Sequence, residues 1–392
     1  METTRIRLGN EVLLDRLPGW LRSHRLGLLV NQASVTRSLE FLAPIIRRAG
    51  GNLRCIFSPQ HGFNSEKQAN MKESSDEWDS ALDIPIFSLY GGVRQPTADM
   101  MNEIDVLVAD LQDVGTRVYT YGATLGLCLE VAAKAGVKMV VLDRPNPIGG
   151  LRVEGNVVKT EYRSFVGRYP IPMRHGLTMG EFARFVAKKC GDSCDLEVVP
   201  MEGWKRRDHY PDTDLQWVYP SPNMPSWETA LLYPGMVLLE GTNVSEGRGT
   251  TLPFHLFGAP FVRQPEMKAW LDGAGLEGVV FRPISFQPAF DKWEGEVCRG
   301  FQIHVTERDK LCPYRLGLVL LQGLCLLHGE DFAWLPPPYE YEREKLPIDI
   351  LLGDGDLRKK LEAGEAVGVL EGGWLKELAE YRSDCEDCLI YE

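Results

Sequence analysis

The stretch that decides the fold is VLVADLQDVGTRVYTYGATLGLCLEVAAKAGVKMVVL, residues 106–142. It begins with a short apolar run, Val106–Asp110, passes through a helical pattern over Thr124–Ala135, and ends in a second apolar run, Met139–Leu142. Continuous apolar strands separated by a helix are typical of a parallel sheet that is buried on both faces. The stretch therefore predicts one strand–helix–strand unit of such a sheet.

The same alternation extends over the first 150 residues. Strand-like runs occur at Leu26–Val30, Leu53–Phe57 and Ile84–Leu89, and helical patterns occur at Leu39–Arg48 and Ala98–Asn102. Because strands alternate with helices, we predict an α/β fold whose parallel sheet is covered on both faces.

The second half of the chain differs in pattern. Pro and Gly are dense in residues 219–225 and 239–251, and from about residue 255 helices mix with amphipathic strands such as Phe301–Val305. A chain of 392 residues is also long for one core. We predict an N-terminal domain over 1–252 and a smaller α+β domain over 253–392.

Composition narrows the possible partners. A net charge of −12 does not suit a surface that tracks phosphates, so we expect no nucleic acid partner. No apolar run approaches the roughly 18–20 residues of a membrane span, and the N-terminus lacks the apolar core of a signal peptide. We therefore expect a soluble, cytoplasmic protein.

Nine cysteines, an odd number, fit free thiols better than a set of disulfides. Cys385 and Cys388 lack the matched second pair of a zinc site, so no metal is expected.

Polar residues follow four of the predicted strands. Parallel strands place their carboxyl ends at one rim of the sheet, which is where such sheets bind ligands. Alternatively, these Asp and Asn residues cap the following helices. The groups are Asn31-Gln32, Gln60-His61, Asp110 to Asp113, and Asp143-Arg144 with Asn146.

Arginines are frequent in the loops of this acidic chain. An Arg side chain recognises a carboxylate through two parallel hydrogen bonds, so a cluster of them predicts an anionic small ligand. Pairing with the neighbouring Asp113, Asp143 and Glu246 is an equally good interpretation. The arginines concerned are Arg117, Arg144, Arg174 and Arg248.

The segment Met173–Thr178 contains Arg-His-Gly, which resembles the signature of histidine phosphatases. In those enzymes the signature follows the first strand of the domain, whereas here it lies in mid-chain after residues 170–172, which we do not predict as a strand. His175 is better interpreted as a substrate-binding or structural histidine. The first strand–helix turn also lacks the glycine pattern for binding a dinucleotide.

Taken together, the longer motifs resemble the exo-β-N-acetylmuramidase family NamZ, formerly DUF1343. The resemblance extends from about Leu26 to the C-terminus. The motifs are Ser-Pro-Gln-His-Gly-Phe at 58–63, Tyr90-Gly91, residues 110–121, Leu142 to Gly150, Arg174-His-Gly, Ser221 to Pro225 and Glu240 to Thr251.

The resemblance implies a Rossmann-like N-terminal domain, a smaller C-terminal domain and an active cleft between them. It implies removal of terminal β-1,4-linked N-acetylmuramic acid from the non-reducing end of peptidoglycan fragments, without a cofactor. The lactyl carboxylate of this sugar would give the arginines a partner. Without export, the substrate would be a small imported saccharide, so cell-wall recycling follows as a hypothesis. The sequence does not specify the oligomeric state.

The family pattern Pro-Glu-His-Gly places a candidate catalytic acid where this chain has Gln60. An amide can orient a substrate group but cannot donate a proton as an acid. A nearby carboxylate could replace the acid, the enzyme could act on another glycoside, or the protein could bind cell-wall sugars without cleaving them. We favour a replacement acid, first Glu73 and then Glu246, although Glu73 could equally be a solvated carboxylate beside Lys72.

The resemblance and the residue chemistry together define the predicted site. The catalytic candidates are Glu73, Glu246, His61 and Asp110, with Glu66 as a further acid in the same loop as Glu73. The predicted substrate-binding residues are Gln60, Asp113, Arg117, Tyr119, Tyr121, Arg144, Asn146, His175, Asn223, Asn243 and Arg248.

Overall fold

The structure is a computed structural model and describes residues 5–63, 71–190 and 194–392. Glu66 lies outside the described residues. The strands of the described chain, in order, are β1 (Arg25–Val30), β2 (Asn52–Ser58), β3 (Glu77–Asp79), β4 (Ile84–Ser88), β5 (Val106–Asp110), β6 (Lys138–Leu142), β7 (Glu154–Val157), β8 (Pro172–Arg174), β9 (Leu196–Val199), β10 (Leu256–Ala259), β11 (Val279–Phe286) and β12 (Cys298–Val305).

The helices frame these strands. They are α1 (Gly9–Arg16), α2 (Trp20–Ser23), α3 (Leu42–Arg48), α4 (Ala98–Asn102), α5 (Thr120–Ala135), α6 (Met179–Cys190), α7 (Trp227–Met236), α8 (Gln264–Gly273), α9 (Pro313–His328), α10 (Pro347–Leu352), α11 (Gly355–Glu362) and α12 (Val367–Cys385).

A seven-stranded sheet forms the centre of the N-terminal part, in the order β3-β4-β2-β1-β5-β6-β9. All neighbours pair in parallel except β3, which runs antiparallel to β4. The predicted parallel α/β sheet is therefore confirmed. Leu29 of β1 aligns with Phe57 of β2 and Ala109 of β5, so the strand ends that precede the polar groups meet at one rim.

Helices cover both faces of this sheet. Because neighbouring residues of a strand point to opposite faces, each strand contributes side chains to both of the cores that the helices form. Leu28 packs in a core that includes residues of α1 and α3, whereas Leu29 packs in the larger core that includes α5 and α6. Both residues are fully buried. The continuous apolar sequence of β1 follows from this double burial.

The C-terminal region contains a smaller antiparallel sheet in the order β10-β12-β11. The long helix α9 of this region packs against α7, and the two helices approach each other closely at Gly235 and Gly317. A Cβ atom at Gly235 would lie 1.9 Å from the carbonyl oxygen of Pro313, so glycine is required there. The division of the chain at residue 252 stays a prediction.

One small element was not predicted. Pro172–Arg174 forms the short strand β8, which pairs antiparallel with β7. Of the segment 170–172, which was predicted not to form a strand, only Pro172 belongs to β8, so the prediction is wrong at that one residue. β8 begins at Pro172, which cannot donate a backbone hydrogen bond to a neighbouring strand, and this weakens the strand pattern of the segment.

Within the described ranges, no helix is both long and apolar enough to cross a membrane.

Candidate active site

A small cavity of about 30 Å³ lies between the rim of the large sheet and loops of the C-terminal region. The chain supplies its walls from the loop after β2, the start of α5, the loop before β8, the loop before α7, α7 itself, and segments on either side of the small sheet. The lining residues that carry polar groups are Gln60, His61, Tyr119, Thr120, Tyr121, Ser221, Asn223, Tyr233, Glu240, Arg248, Tyr339 and Glu340.

Glu340 is the carboxyl group at the centre of this site. Its side chain is buried, with 4% of the residue exposed. The hydroxyl of Tyr90 donates to Oε2 at 2.8 Å, and Nε2 of Gln60 donates to Oε1 at 3.2 Å. Burial raises the pKa of Glu340 to about 7, although both hydrogen bonds favour the carboxylate and oppose the rise. Glu340 can therefore hold or release a proton near neutral pH.

Gln60 is fixed from both ends of its amide. Its Nε2 donates to Glu340, and its Oε1 accepts from the Thr120 hydroxyl at 2.6 Å. The next residue, His61, has a φ of 78° and also lines the cavity. A left-handed backbone is unusual for histidine, and such conformations cluster at functional sites.

A second carboxyl group, Glu240, belongs to a charged pair in the same cavity. Oε1 accepts from Nη2 of Arg248 at 2.7 Å, and Oε2 accepts from the Tyr339 hydroxyl at 2.7 Å. Burial opposes the charge of Arg248, but Glu240 and Glu246 outweigh it and raise the pKa of the guanidinium. Nη1 of Arg248 is buried and has no hydrogen-bond acceptor among the described residues.

Glu246 lies behind this pair. Its oxygens lie 3.1 Å from Nε of Arg248 and 2.8 Å from Nζ of Lys292. Burial opposes ionisation, yet the two cations lower the pKa of Glu246 overall. A carboxylate held in this way is a poor proton donor, and its two ion pairs balance charge within the cluster.

Aromatic rings form the remaining walls. The Tyr119 and Tyr121 rings meet edge to face with centroids 4.7 Å apart, and Tyr119 contacts Tyr233 at 6.0 Å. The Tyr121 hydroxyl donates to the carbonyl oxygen of Pro220 at 2.8 Å, which ties α5 to the loop that carries Asn223. Of the predicted substrate-binding residues, Gln60, Tyr119, Tyr121, Asn223 and Arg248 line the cavity, as does the catalytic candidate His61.

Other rim residues hold the rim together instead. Arg144 pairs with Asp110 through Nε and Nη2, and Nδ2 of Asn10 donates to the same Asp110 carboxylate at 3.0 Å. Both members of the Asp110–Arg144 pair are buried. This pair joins the ends of β5 and β6, and neither residue lines the cavity.

Arg117 and Asn146 are bound to backbone groups. Arg117 donates to four carbonyl oxygens, those of Asn156, Ile171, Leu351 and Leu352, at 2.8–3.3 Å. Burial lowers its pKa to about 10. Nδ2 of Asn146 donates to the carbonyl oxygen of Leu177 at 3.0 Å. Arg117 therefore ties the N-terminal part to α10, whereas Asn146 ties two loops of the N-terminal part together, and neither side chain lines the cavity.

Three further predicted residues also make contacts elsewhere. Nε2 of His175 lies 3.6 Å from Oδ2 of Asp113, and its Nδ1 accepts from the Leu177 amide at 3.1 Å. Asn243 bridges to the segment at Ala333 through Nδ2 and Oδ1. Neither arrangement places these side chains in the cavity lining.

Glu73 lies on the surface, with 58% of its side chain exposed. It accepts from Arg94 and from the Tyr341 hydroxyl, both at 3.2 Å. Glu73 therefore lies outside the cavity lining, at the surface beside the turn that carries Tyr341.

Glu240 and Glu340 are the two carboxyl-bearing lining residues that were not predicted from the sequence. Glu240 is the first residue of the motif Glu240 to Thr251, and its local sequence does not distinguish it from the other polar residues of that motif. Glu340 follows the proline run 336–338 and stands between two tyrosines. A carboxyl group between two aromatic residues, just after a rigid proline segment, was the available signal.

A larger cavity of about 340 Å³ adjoins the first and shares Glu240, Arg248 and Tyr339 with it. This volume lies at the lower end of the range for small-molecule sites, roughly 300–1,000 Å³. Its other walls include Phe290, the prolines at 336 and 338, and Lys292. Apolar faces with a few charged groups suit a sugar ring.

A buried carboxyl group that titrates near neutrality, beside a second carboxylate in a cleft, is the arrangement used by glycoside hydrolases. Comparison with known families agrees. Residues 26–228 match the family described as exo-β-N-acetylmuramidase NamZ, N-terminal, and residues 231–391 match its C-terminal counterpart. The chain belongs to the exo-β-N-acetylmuramidase NamZ family.

Individual relatives cover nearly the whole chain. The peptidoglycan β-N-acetylmuramidase NamZ of Bacillus subtilis is 40% identical over 99% of this chain and 92% of its own length. Two crystal structures of DUF1343 family proteins from Bacteroides fragilis superpose over 99% of both chains. Their TM-scores are 0.88 and 0.78, with identities of 32% and 27%. The predicted family and fold are confirmed.

Proposed function

We propose that this protein removes terminal β-1,4-linked N-acetylmuramic acid from the non-reducing end of peptidoglycan fragments. Membership of the NamZ family and the similarity to the Bacillus subtilis peptidoglycan β-N-acetylmuramidase support this activity. A pocket at the junction of the two halves also suits an enzyme that takes one terminal sugar.

Glu340 is the proposed general acid, and its environment is the observation that carries the proposal. A general acid works best when its pKa lies near the working pH, and burial places the pKa of Glu340 at about 7. Gln60 then serves as a hydrogen-bond donor to the acid. The acid of this enzyme is therefore supplied by the C-terminal region instead of the loop after β2.

Glu240 is the proposed second carboxyl group. Both of its oxygens already accept strong hydrogen bonds, from Arg248 and Tyr339, which makes it a fixed anion. Such an anion stabilises the positive charge that develops on a sugar ring in the transition state. The nucleophile is then supplied by the N-acetyl group of the substrate, a route that needs one acid and groups that orient the acetamide.

Arg248 is the proposed partner of the lactyl carboxylate. Of the four arginines predicted to bind an anion, only Arg248 lines the cavity. Its buried Nη1 has no acceptor among the described residues, and a carboxylate oxygen would satisfy it. The adjoining cavity shares this side chain and has room for the rest of the saccharide.

The decisive experiment is hydrolysis of a chromogenic β-N-acetylmuramide by wild type, Glu340→Gln and Glu73→Gln. We expect Glu340→Gln to lose roughly a hundredfold or more in kcat, the size of a lost general acid. The kcat of Glu73→Gln should stay within about tenfold of wild type, because the amide oxygen can still accept from Arg94 and Tyr341. Glu344→Gln, which removes an exposed carboxylate four residues from Glu340, is the matched control and should be unaffected.

Wild-type activity in Glu340→Gln would refute the assignment of the acid. A wild type that binds muramyl saccharides but releases no sugar would instead support the alternative of a non-catalytic cell-wall sugar binder. Cytoplasmic location and a role in recycling stay predictions, and fractionation of cells that produce the protein tests them.

A further inference from the structure

The turn that carries Glu340 has an uncommon backbone. Tyr339 and Glu342 exchange two backbone hydrogen bonds of 2.9 Å, which closes a two-residue turn. Its central residues, Glu340 and Tyr341, have φ values of 43° and 70°. Tight turns with two left-handed residues favour Asn and Gly, because a side chain is disfavoured in that conformation. Contacts outside the turn must therefore hold Glu340 and Tyr341 in place.

The Tyr341 side chain supplies such a contact at the mouth of the site. Cζ of Arg94 lies 3.6 Å from the centroid of the Tyr341 ring, a close cation–π contact. The Tyr341 hydroxyl and Nη2 of Arg94 both donate to Oε1 of Glu73 at 3.2 Å. Tyr341 is 47% exposed, so burial alone does not fix its position.

Arg94 is in turn anchored to the loop after β4. Its Nη1 donates to the carbonyl oxygens of Gly91 and Val93 at 2.5 and 3.1 Å. The neighbouring Tyr90 packs against Tyr341 with ring centroids 5.8 Å apart and donates its hydroxyl to Glu340. One loop therefore holds both the carboxyl group of Glu340 and the ring of the following residue.

We propose that Arg94, Tyr341 and Glu73 form a clamp that positions the carboxyl group of Glu340 for proton donation. These three are positioning residues, since they act through the backbone of the turn and do not line the catalytic cavity. The inference rests on the proposed function and deepens it: the surface carboxylate Glu73 serves the acid without being the acid.

The kinetic test compares disruptive with conservative variants. We expect Tyr341→Leu and Arg94→Met to lower kcat about tenfold or more, with KM changed less than about threefold, because the acid is misplaced while the sugar pocket remains. Tyr341→Phe and Arg94→Lys keep a ring and a cation, and they should retain at least about one third of wild-type kcat. Equal effects of the disruptive and conservative variants would overturn the clamp.

Tyr341→Gly separates backbone strain from the clamp. Glycine accepts the left-handed conformation, so this variant relieves the strain while it removes the ring. The clamp predicts a loss of kcat as large as that of Tyr341→Leu. Wild-type kcat in Tyr341→Gly would mean that the turn positions Glu340 without the Tyr341 ring, and this result would refute the proposal.

A titration of Glu340 tests the clamp without relying on activity. The charged and titratable groups around Glu340 are Tyr90, Arg94, Glu240, Tyr233 and Tyr339. Because the Arg94 cation favours the carboxylate, Arg94→Met should raise the pKa of Glu340 measured by carbon-13 NMR of the labelled carboxyl. An inactive wild type would contradict the proposed function alone. An unchanged pKa of Glu340 in both Arg94→Met and Tyr341→Leu would contradict the clamp.

Discussion

Replacing Gln60 by glutamate should move the alkaline limb of the pH–activity profile. The amide nitrogen of Gln60 lies 3.2 Å from Oε1 of Glu340, and both residues are buried. Gln60→Glu removes a donor that favours the Glu340 carboxylate and places a second carboxyl group beside it. Two carboxylates this close cannot both ionise, so the pair keeps one proton to a higher pH.

The size of the shift follows from the distance. Two charges about 4 Å apart interact with about 4 kcal/mol at an effective dielectric constant of about 20. One pKa unit corresponds to about 1.36 kcal/mol, so the second ionisation of the pair should rise by about 3 units. Since wild-type Glu340 has a pKa of about 7, the alkaline limb of kcat/KM should move well above pH 9.

The assay is kcat/KM for a chromogenic β-N-acetylmuramide between pH 5 and 10.5. Gln287→Glu is the control, because Gln287 is exposed and the added charge there is solvated. The profile of Gln287→Glu should match that of wild type. An alkaline limb that stays near pH 7 in Gln60→Glu would show that Glu340 is not the group that limits activity, and the reasoning from the Gln60–Glu340 contact would be refuted.

Three further predictions follow from the contacts. Arg248→Lys keeps the positive charge but loses the planar guanidinium that can bind a carboxylate through two hydrogen bonds, so kcat/KM for a β-N-acetylmuramide should fall about tenfold or more. The decrease in kcat/KM should be smaller for a β-N-acetylglucosaminide, because that substrate lacks the lactyl carboxylate. Burial raises the folded-state pKa of Glu340 from 4.5 to about 7, so the free energy of unfolding of wild type should fall by about 3 kcal/mol as pH rises through that window. Glu340→Gln lacks the titrating group and should not show this decrease. Urea unfolding at several pH values measures both. Arg117→Met removes the side-chain donor to four carbonyl oxygens, of which, among the described residues, only that of Leu352 keeps a second side-chain donor, Nδ2 of Asn156. The free energy of unfolding should fall by about 3 kcal/mol or more, while kcat of the folded protein stays within about threefold of wild type.

The sheet and its rim could be predicted from the sequence because their signals are local. Apolar runs such as Leu26–Val30 and Val106–Asp110 specify strands buried on both faces, and the parallel pairing then places the polar residues after them at one rim. The functions of those residues could not be predicted in the same way. Arg117 binds backbone carbonyls instead of an anion, and the sequence of a loop does not reveal which acceptor an arginine will meet.

Glu340 could not be found from local pattern for two physical reasons. Its contact with Gln60 joins residues 280 positions apart, so only the tertiary fold brings the amide and the carboxyl group together. Its turn also places Glu and Tyr where turn rules expect Asn and Gly, so the segment carries no turn signal. Local rules fail where contacts from elsewhere impose the backbone, and such places are often functional.

The amide at position 60 is compatible with catalysis because of what it offers to Glu340. A glutamate in its place could donate a hydrogen bond to Glu340 only when protonated, and the two groups would then compete for one proton. Gln60 donates through Nε2 in every protonation state of Glu340, and its carbonyl oxygen is fixed by Thr120. The titrating proton is thereby confined to Glu340. On this reasoning Gln60 supplies at all times the hydrogen bond that a glutamate could supply only when protonated, which supports the proposed role of Glu340 as the acid.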